Sequence, residues 1–209
     1  MSTEHDRKRR LRRDLLEARR SLPADVVAAT GEALARRAPE LGELAPYLTG
    51  PPAGWAGTAP TVAGYVSIGG EPATGPLLER LRAAGVRVLL PVLLPDNDLD
   101  WALYEGPERL VPAGWGLREP AGERLGPEAV TGADVVLLPG LAVDRRGLRL
   151  GRGGGSYDRV LARLERAGAR TSLVVLLYDD EVLQEVPAEP HDRRVHAAVT
   201  PSAVHRFRG

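Results

Sequence analysis

The densest concentration of residues able to do chemistry lies at 144–158, Asp144-Arg145-Arg146-Gly147-Leu148-Arg149-Leu150-Gly151-Arg152-Gly153-Gly154-Gly155-Ser156-Tyr157-Asp158. Gly151, Gly153 and Gly155 alternate as G-x-G-x-G. Glycine tolerates positive φ and close approach of backbone N–H groups to a ligand, and a helix start adds partial positive charge, so such a loop can hold an anion. Phosphate is the natural anion, because Arg149 and Arg152 add forked donors that match its oxygens. The spacing is neither the Gly-Lys-Ser/Thr phosphate loop nor the G-x-G-x-x-G dinucleotide fingerprint. A flexible connector with incidental arginines accounts for the same residues. Asp158 also reads two ways, as a metal ligand or as an acid that stabilises the first turn of a helix.

Other candidates lie far from this loop. Arg7-Lys8-Arg9-Arg10-Leu11-Arg12-Arg13 is a dense cationic run, with Lys8 and Arg12 one helical turn apart. It is open to three readings: phosphate contact, a solvated helix face, or a nucleic-acid patch, the last weakened by the lack of interleaved aromatics. Glu71 follows a Gly-Gly turn and is either a surface acid or part of a site. His191 beside Asp192 lacks the partner spacing of a zinc site. Trp115, between two glycines, is either partial core or a stacking surface for a planar ring.

Composition narrows the chemistry. The chain has no cysteine, which excludes disulfides, thiolate metal sites and a cysteine nucleophile. With 28 basic and 28 acidic residues its formal net charge is zero, so no global field draws it to nucleic acid or membrane. Lys8 is the only lysine among those 28 basic residues. No apolar signal core or membrane-spanning run is present, and a cytoplasmic protein is expected.

The elements that must position these residues follow from apolar periodicity. Leu11, Leu15, Ala18 and Leu22 mark an amphipathic basic helix over Arg7–Leu22, and Val27, Thr30, Leu34 and Ala38 a second. Thr49–Pro60, around Trp55, reads as a loop. Strands are expected at Thr61–Ile68, Val86–Leu94, Trp101–Glu105, Val135–Val143, Thr171–Tyr178 and Ala197–Thr200. Helices or helical turns are expected after Thr74, at Pro127–Thr131, at Tyr157–Ala167 and at Glu181–Glu185. Continuous apolar strands alternating with helices indicate an α/β fold with a mostly parallel sheet flanked by helices on both faces, Rossmann-like and three-layered, with two N-terminal helices. At 209 residues one domain over 1–209 is expected. Ligands in such folds collect beyond the carboxyl ends of the strands, where Gly69-Gly70-Glu71, the glycine loop and the tail around Asp192 all fall.

The run Leu138-Pro139-Gly140-Leu141-Ala142-Val143-Asp144, with Gly147, Arg149-Leu150-Gly151-Arg152-Gly153, Gly155 and Tyr157-Asp158, resembles the 5-formyltetrahydrofolate cyclo-ligase (5,10-methenyltetrahydrofolate synthetase) family. The likeness extends from about Lys8 to Pro201. It implies ATP- and Mg2+-dependent closure of 5-formyltetrahydrofolate to 5,10-methenyltetrahydrofolate through a phosphorylated imidate, with ADP and phosphate released. By that resemblance Lys8, Arg12 and the residues Arg149, Leu150, Gly151, Arg152, Gly153, Gly154, Gly155, Ser156 and Tyr157 contact ATP, with Arg152 and Asp158 catalytic. The same resemblance has Val66 and Glu71 line the folate site and Asp158 and Asp192 share Mg2+; Trp115 joins the folate site as a stacking surface read from its residue type. Val143, Gly154 and Ser156 depart from the family, which often has Phe, Lys and an aromatic there. The implied partners are small molecules, with neither nucleic acid nor membrane, and a monomer is expected. A nucleotide- or RNA-binding protein without catalysis, and a sugar-phosphate isomerase or lactonase on a related fold, are the alternatives.

Overall fold

The structure, a computed structural model, describes residues 3–49, 60–189 and 192–207. Trp55, with most of the expected loop around it, and His191 lie outside the described residues. Helix α1 spans Glu4–Arg20 and opens with a capping box, in which Thr3 and Asp6 each satisfy the other's backbone N–H. Helix α2 (Ala24–Arg37) follows, then the single turn α3 (Ala45–Leu48). The alternating part of the chain begins with strand β1 (Thr61–Ala63), which runs on to Ile68 without regular pairing, then α4 (Gly75–Ala83), β2 (Arg87–Leu93) and β3 (Leu99–Leu103). A hairpin of β4 (Leu110–Pro112) and β5 (Arg118–Pro120) precedes β6 (Val135–Pro139), β7 (Ala142–Asp144) and β8 (Arg149–Leu150). Helix α5 (Ser156–Arg166), β9 (Ser172–Leu176), β10 (Val182–Leu183), β11 (Ala197–Val199) and β12 (Val204–Arg206) complete the order.

Seven strands form one sheet in the order β12-β11-β9-β6-β1-β2-β3, parallel except at its two edge strands. Counted along the chain, the parallel strands lie second-first-third-fourth-fifth, one of the two common doubly wound orders, rather than the order built from two mononucleotide-binding halves. The direction of winding reverses between β1 and β6, and a crevice opens beyond their carboxyl ends. Alternate strand residues feed two cores. Val62, Val88, Leu90, Leu137 and Val174 pack with α2 and α4 on one face. Ala63, Leu89, Val136, Leu138 and Val175 pack with Val160, Leu161 and Leu164 of α5 on the other. The Arg163 guanidinium donates to Asp98 at 2.7 Å and to Glu128 at 2.8 Å, which anchors α5 to the turn between β2 and β3 and to the 3-10 helix at Pro127–Gly132.

Several expectations change. The single strand expected over Val135–Val143 divides at Gly140: β6 stays in the large sheet, and β7 pairs with β8 and β10 in a second one. A Cβ at Gly140 would sit 2.6 Å from Val175, so the chain can pass β9 and turn out of the sheet only with glycine there. The turn of helix expected at Glu181–Glu185 is a 3-10 turn at Asp179–Glu181 followed by β10. Helix α1 does not bury its expected stripe: Ala18 is exposed, Leu11, Leu15 and Leu16 pack on a small cluster of Leu141, Ala142, Leu150 and Val186, and the fully buried positions are Lys8 and Arg19.

Asp144 is completely buried and accepts hydrogen bonds from the N–H groups of Arg146, Leu148 and Val186 and from the Arg146 guanidinium at 2.7 Å. Burial pushes its carboxyl up, but the Arg146 and backbone hydrogen bonds outweigh it and hold the carboxyl below the usual carboxylate range. A carboxyl lowered in the folded state contributes stability that is complete above its unfolded value of about 4 and is lost as pH falls through the lowered folded value. Asp144→Asn is expected to cost about 2–3 kcal/mol in urea unfolding at pH 7 and to flatten the loss of stability seen below pH 4.

Candidate functional site

The crevice at the β1–β6 reversal is a cleft of about 250 Å3. One wall is mainly apolar: Tyr65, Val66 and Ile68 from the β1 exit, Pro91 and Leu93 from β2, and Leu117 from the β4–β5 hairpin. The other wall is the glycine loop with Arg149, Arg152 and Asp158. Gly155 holds a left-handed φ of +79° as the N-cap of α5, with no side-chain cap, so the first-turn N–H groups beside the cleft remain available to an anion. A side chain at Gly155 would be strained by that φ alone.

Two polar atoms in this wall are buried and unpartnered, Nε of Arg149 and the hydroxyl of Tyr157. The rest of the Arg149 guanidinium donates to the Pro139 carbonyl at 2.8 Å and to Asp158 at 3.4 Å. Burial lowers the pKa of Arg149, opposed by Asp158, and burial pushes the Tyr157 hydroxyl up. Buried polar groups without partners are uncommon in folded proteins, and here two of them flank a glycine loop. Glu71 is buried at the boundary of the two walls; its carboxylate accepts from the Ile68 N–H at 2.9 Å and from Arg152 at 3.1 Å.

The structure brings together Val66, Glu71, Arg149, Gly151, Arg152, Gly153, Gly154, Gly155, Ser156, Tyr157 and Asp158 in this one cleft. Arg12 stands behind it, donating to the Gly151 carbonyl at 2.9 Å and so supporting the loop. Lys8 is buried and donates to Glu189 at 2.7 Å and Asp192 at 2.6 Å. Asp192 and Asp158 line an adjoining cavity of about 150 Å3 with Arg149 between the two openings. Among the described residues no three metal-ligating side chains cluster, so a cation there would be held by these two carboxylates and by oxygen atoms of a ligand or water.

Two expected site residues are corrected. Trp115 is 91% exposed and does not line the cleft; its own φ of 63° at the tip of the β4–β5 hairpin turns it to solvent. The Leu150 side chain is buried with Leu141 and Val186, and its carbonyl accepts from the Leu141 N–H at 2.8 Å, so it serves packing and β8 pairing. Sequence reading missed Tyr65 and Glu119, which line the cleft, and the buried ion pair of Arg19 and Glu181, which does not. Arg19 carried a legible signal: positions 8, 12 and 19 lie on one face of a helix, and all three are cationic.

The model of the 5-formyltetrahydrofolate cyclo-ligase family matches residues 4–201, both ends of the site included. The chain belongs to the 5-formyltetrahydrofolate cyclo-ligase family. It is 42% identical over 203 residues to the 5-formyltetrahydrofolate cyclo-ligase of Mycolicibacterium smegmatis, covering 93% of each chain. The cyclo-ligase of Escherichia coli K12 is 37% identical over 148 residues, covering 70% of this chain and 80% of that one. Among solved structures, 5,10-methenyltetrahydrofolate synthetase from Aquifex aeolicus superposes with a TM-score of 0.72 at 28% identity, covering 97% of this chain and 93% of that one. The synthetase from Mycoplasma pneumoniae shares the fold, with a TM-score of 0.68 at 19% identity over 93% of this chain and 98% of that one.

The geometry of this cyclo-ligase family member separates Gly155, which shapes the loop, from Trp115, which stands clear of the cleft. Gly155→Ala is expected to lower stability by about 1–2 kcal/mol through its left-handed φ, whereas Trp115→Ala is expected to stay within about 0.5 kcal/mol, both read by urea unfolding.

Proposed function

We propose that the protein closes 5-formyltetrahydrofolate to 5,10-methenyltetrahydrofolate at the expense of ATP, with ADP and phosphate released. The observation that carries this reading is the 3.1 Å contact between Glu71 and Arg152, which joins an apolar wall suited to a flat heterocycle to a loop suited to phosphates. A formamide is a poor electrophile. Its oxygen displaces ADP from the γ-phosphorus to give a phosphorylated imidate; the neighbouring folate nitrogen then attacks the imidate carbon, loses its proton, and phosphate leaves with the formyl oxygen.

The chain's part in this is positioning and charge stabilisation, the main terms in phosphoryl transfer. Arg152 sits where it can touch both reactants, and the buried Glu71 carboxylate offers an acceptor to N–H groups of the pterin. Backbone N–H groups of residues 151–157, with the free Nε of Arg149, cradle the phosphates. Tyr65 and Val66 wall the heterocycle and exclude water. The donor set around Arg149 fits Mg2+, which takes few carboxylates and fills its shell with water and phosphate oxygens; Asp158 and Asp192 would hold it. Bound there, the ion supplies neutralisation of phosphate charge.

Small-molecule partners suit the N-terminal helix better than nucleic acid does. Arg7, Arg9 and Arg13 are paired with Glu4, Asp6 and Asp14, while Lys8 and Arg12 point inward to Asp192 and Gly151. No helix among the described residues is long and apolar enough to cross a membrane. The same reading takes the chain as one domain that acts as a cytoplasmic monomer.

The test is near-ultraviolet absorbance of the methenyl product with protein, Mg2+ and 5-formyltetrahydrofolate, with and without ATP. An ATP-dependent rise is expected, abolished by Arg152→Ala or Asp158→Ala while far-ultraviolet circular dichroism is unchanged. Lys8→Arg keeps the charge but not the compact ammonium between Glu189 and Asp192, and is expected to raise the KM for ATP about tenfold. Wild-type protein that gives no ATP-dependent signal would overturn the proposal.

A further inference from the structure

We infer that Arg19, Glu181 and Tyr178, none of which lines the cleft, act as one unit that positions Glu71 for the folate; the inference rests on the function proposed above. The Arg19 and Glu181 side chains are each only 4% exposed and meet as a fork, Nε to Oε1 at 2.6 Å and Nη2 to Oε2 at 2.7 Å. Nη2 of Arg19 also donates to the Gly140 carbonyl at 2.7 Å, one residue beyond the Pro139 carbonyl that Arg149 holds. The guanidinium stacks over the Tyr178 ring, 5.6 Å from its centroid, and Glu181 accepts the Tyr178 N–H at 2.9 Å.

From Tyr178 the chain of contacts reaches the folate wall. The Tyr178 hydroxyl donates to the Gly70 carbonyl at 3.1 Å. Gly70 itself lies so close to α1 that a Cβ there would sit 2.5 Å from the Arg19 carbonyl oxygen. The next residue is Glu71, whose two carboxylate oxygens are directed by that turn to Ile68 and Arg152. Hence one side of the Gly69-Gly70-Glu71 turn is fixed by its own hydrogen bonds, and the other by the Arg19 backbone and the Tyr178 hydroxyl.

Stability alone is a weak reason to bury such a pair. Replacing a buried ion pair by well-packed apolar residues is often neutral or stabilising, while an ion pair sets geometry that apolar contacts leave loose. In this protein the geometry it sets lies one hydrogen bond from the reacting cleft. A merely structural pair would lower folded population and disturb both substrates alike. A positioning unit disturbs the folate and not the ATP, and does so through Glu71.

The experiment measures KM for 5-formyltetrahydrofolate and for ATP, and equilibrium binding of 5-formyltetrahydrofolate alone by quenching of intrinsic fluorescence. The variants are Tyr178→Phe, Glu181→Gln and Arg19→Lys, each made in the wild-type and in the Glu71→Gln background. Tyr178→Phe removes a single oxygen and keeps the ring under Arg19, so it preserves the test if variants of the ion pair do not fold. The expected result is a rise in folate KM and Kd of about threefold for Tyr178→Phe and tenfold for Glu181→Gln. Arg19→Lys falls between the two, and ATP KM stays within twofold throughout. In the Glu71→Gln background the same changes should shift folate binding less than twofold. Equal shifts in both backgrounds, or ATP and folate moving together, would overturn the inference. Wild-type protein that binds folate without turnover would remove the proposed activity and leave the binding ratios to judge this unit; protein that does not bind folate would remove both.

Discussion

The buried Arg19–Glu181 pair is the contact on which the site's geometry depends. It joins segments that are remote in sequence: helix α1, the exit of β6 at Gly140, the exit of β9 at Tyr178–Glu181 and, through Tyr178, the exit of β1 at Gly70. These are the ends of neighbouring parallel strands, two of them flanking the reversal in winding where the cleft opens. Burial works against the charge of Arg19, but the Glu181 hydrogen bonds more than offset it and raise the guanidinium above its ordinary value. Burial also pushes the Glu181 carboxyl above the usual carboxylate range, although the Arg19 hydrogen bonds oppose it, so each charge of the pair depends on the other. Removing one partner would leave the other as a buried, uncompensated charge, a change that typically costs about 3–5 kcal/mol.

Around that fixed frame, the site balances its own charges. Arg152 faces Glu71, Arg149 faces Asp158, and Lys8 lies between Glu189 and Asp192. The charged side chains that line the cleft and the cavity next to it, Arg118, Arg149, Arg152 and Arg193 against Glu71, Glu119, Asp158 and Asp192, sum to zero as the whole chain does. A ligand that brings both a polyanion and a divalent cation leaves this balance nearly intact, since cationic side chains can turn to the anion as acidic ones turn to the metal. A polyanion alone would leave the carboxylates unpaired. For the function proposed above, such a preference is electrostatic and needs no shape change of the backbone.

Much of the fold was legible because it rests on apolar burial. The runs at Val86–Leu94 and Thr171–Tyr178, and the helix expected at Tyr157–Ala167, appear within one or two residues of their expected bounds, since they are buried on the faces the period implies. The glycine loop was legible from residue type, because backbone approach to an anion needs glycine. What failed to show was structure held by polar contacts or by crowding. The face of α1 is defined by Lys8, Arg12 and Arg19, charges that a search for apolar stripes assigns to solvent. The break between β6 and β7 depends on how closely Gly140 passes Val175, a contact between strands distant in sequence. The β4–β5 hairpin has strands of only three residues, with prolines at Pro112 and Pro120, and offers no period to detect. Trp115 read as partial core or as a stacking surface for a planar ring, and its backbone at a hairpin tip turns it away from both.

Helix α1 is seated on the molecule by few apolar contacts, those of Leu11, Leu15 and Leu16, and by its inward charges. The single lysine of the chain is among those charges and is 3% exposed. Its amine is shielded from acylating reagents while the helix stays in contact with Glu189 and Asp192, and separation of the two exposes it. The protein thereby carries a built-in chemical reporter of that contact: at one side-chain amine, the rate of acylation measures how often the helix and the tail part.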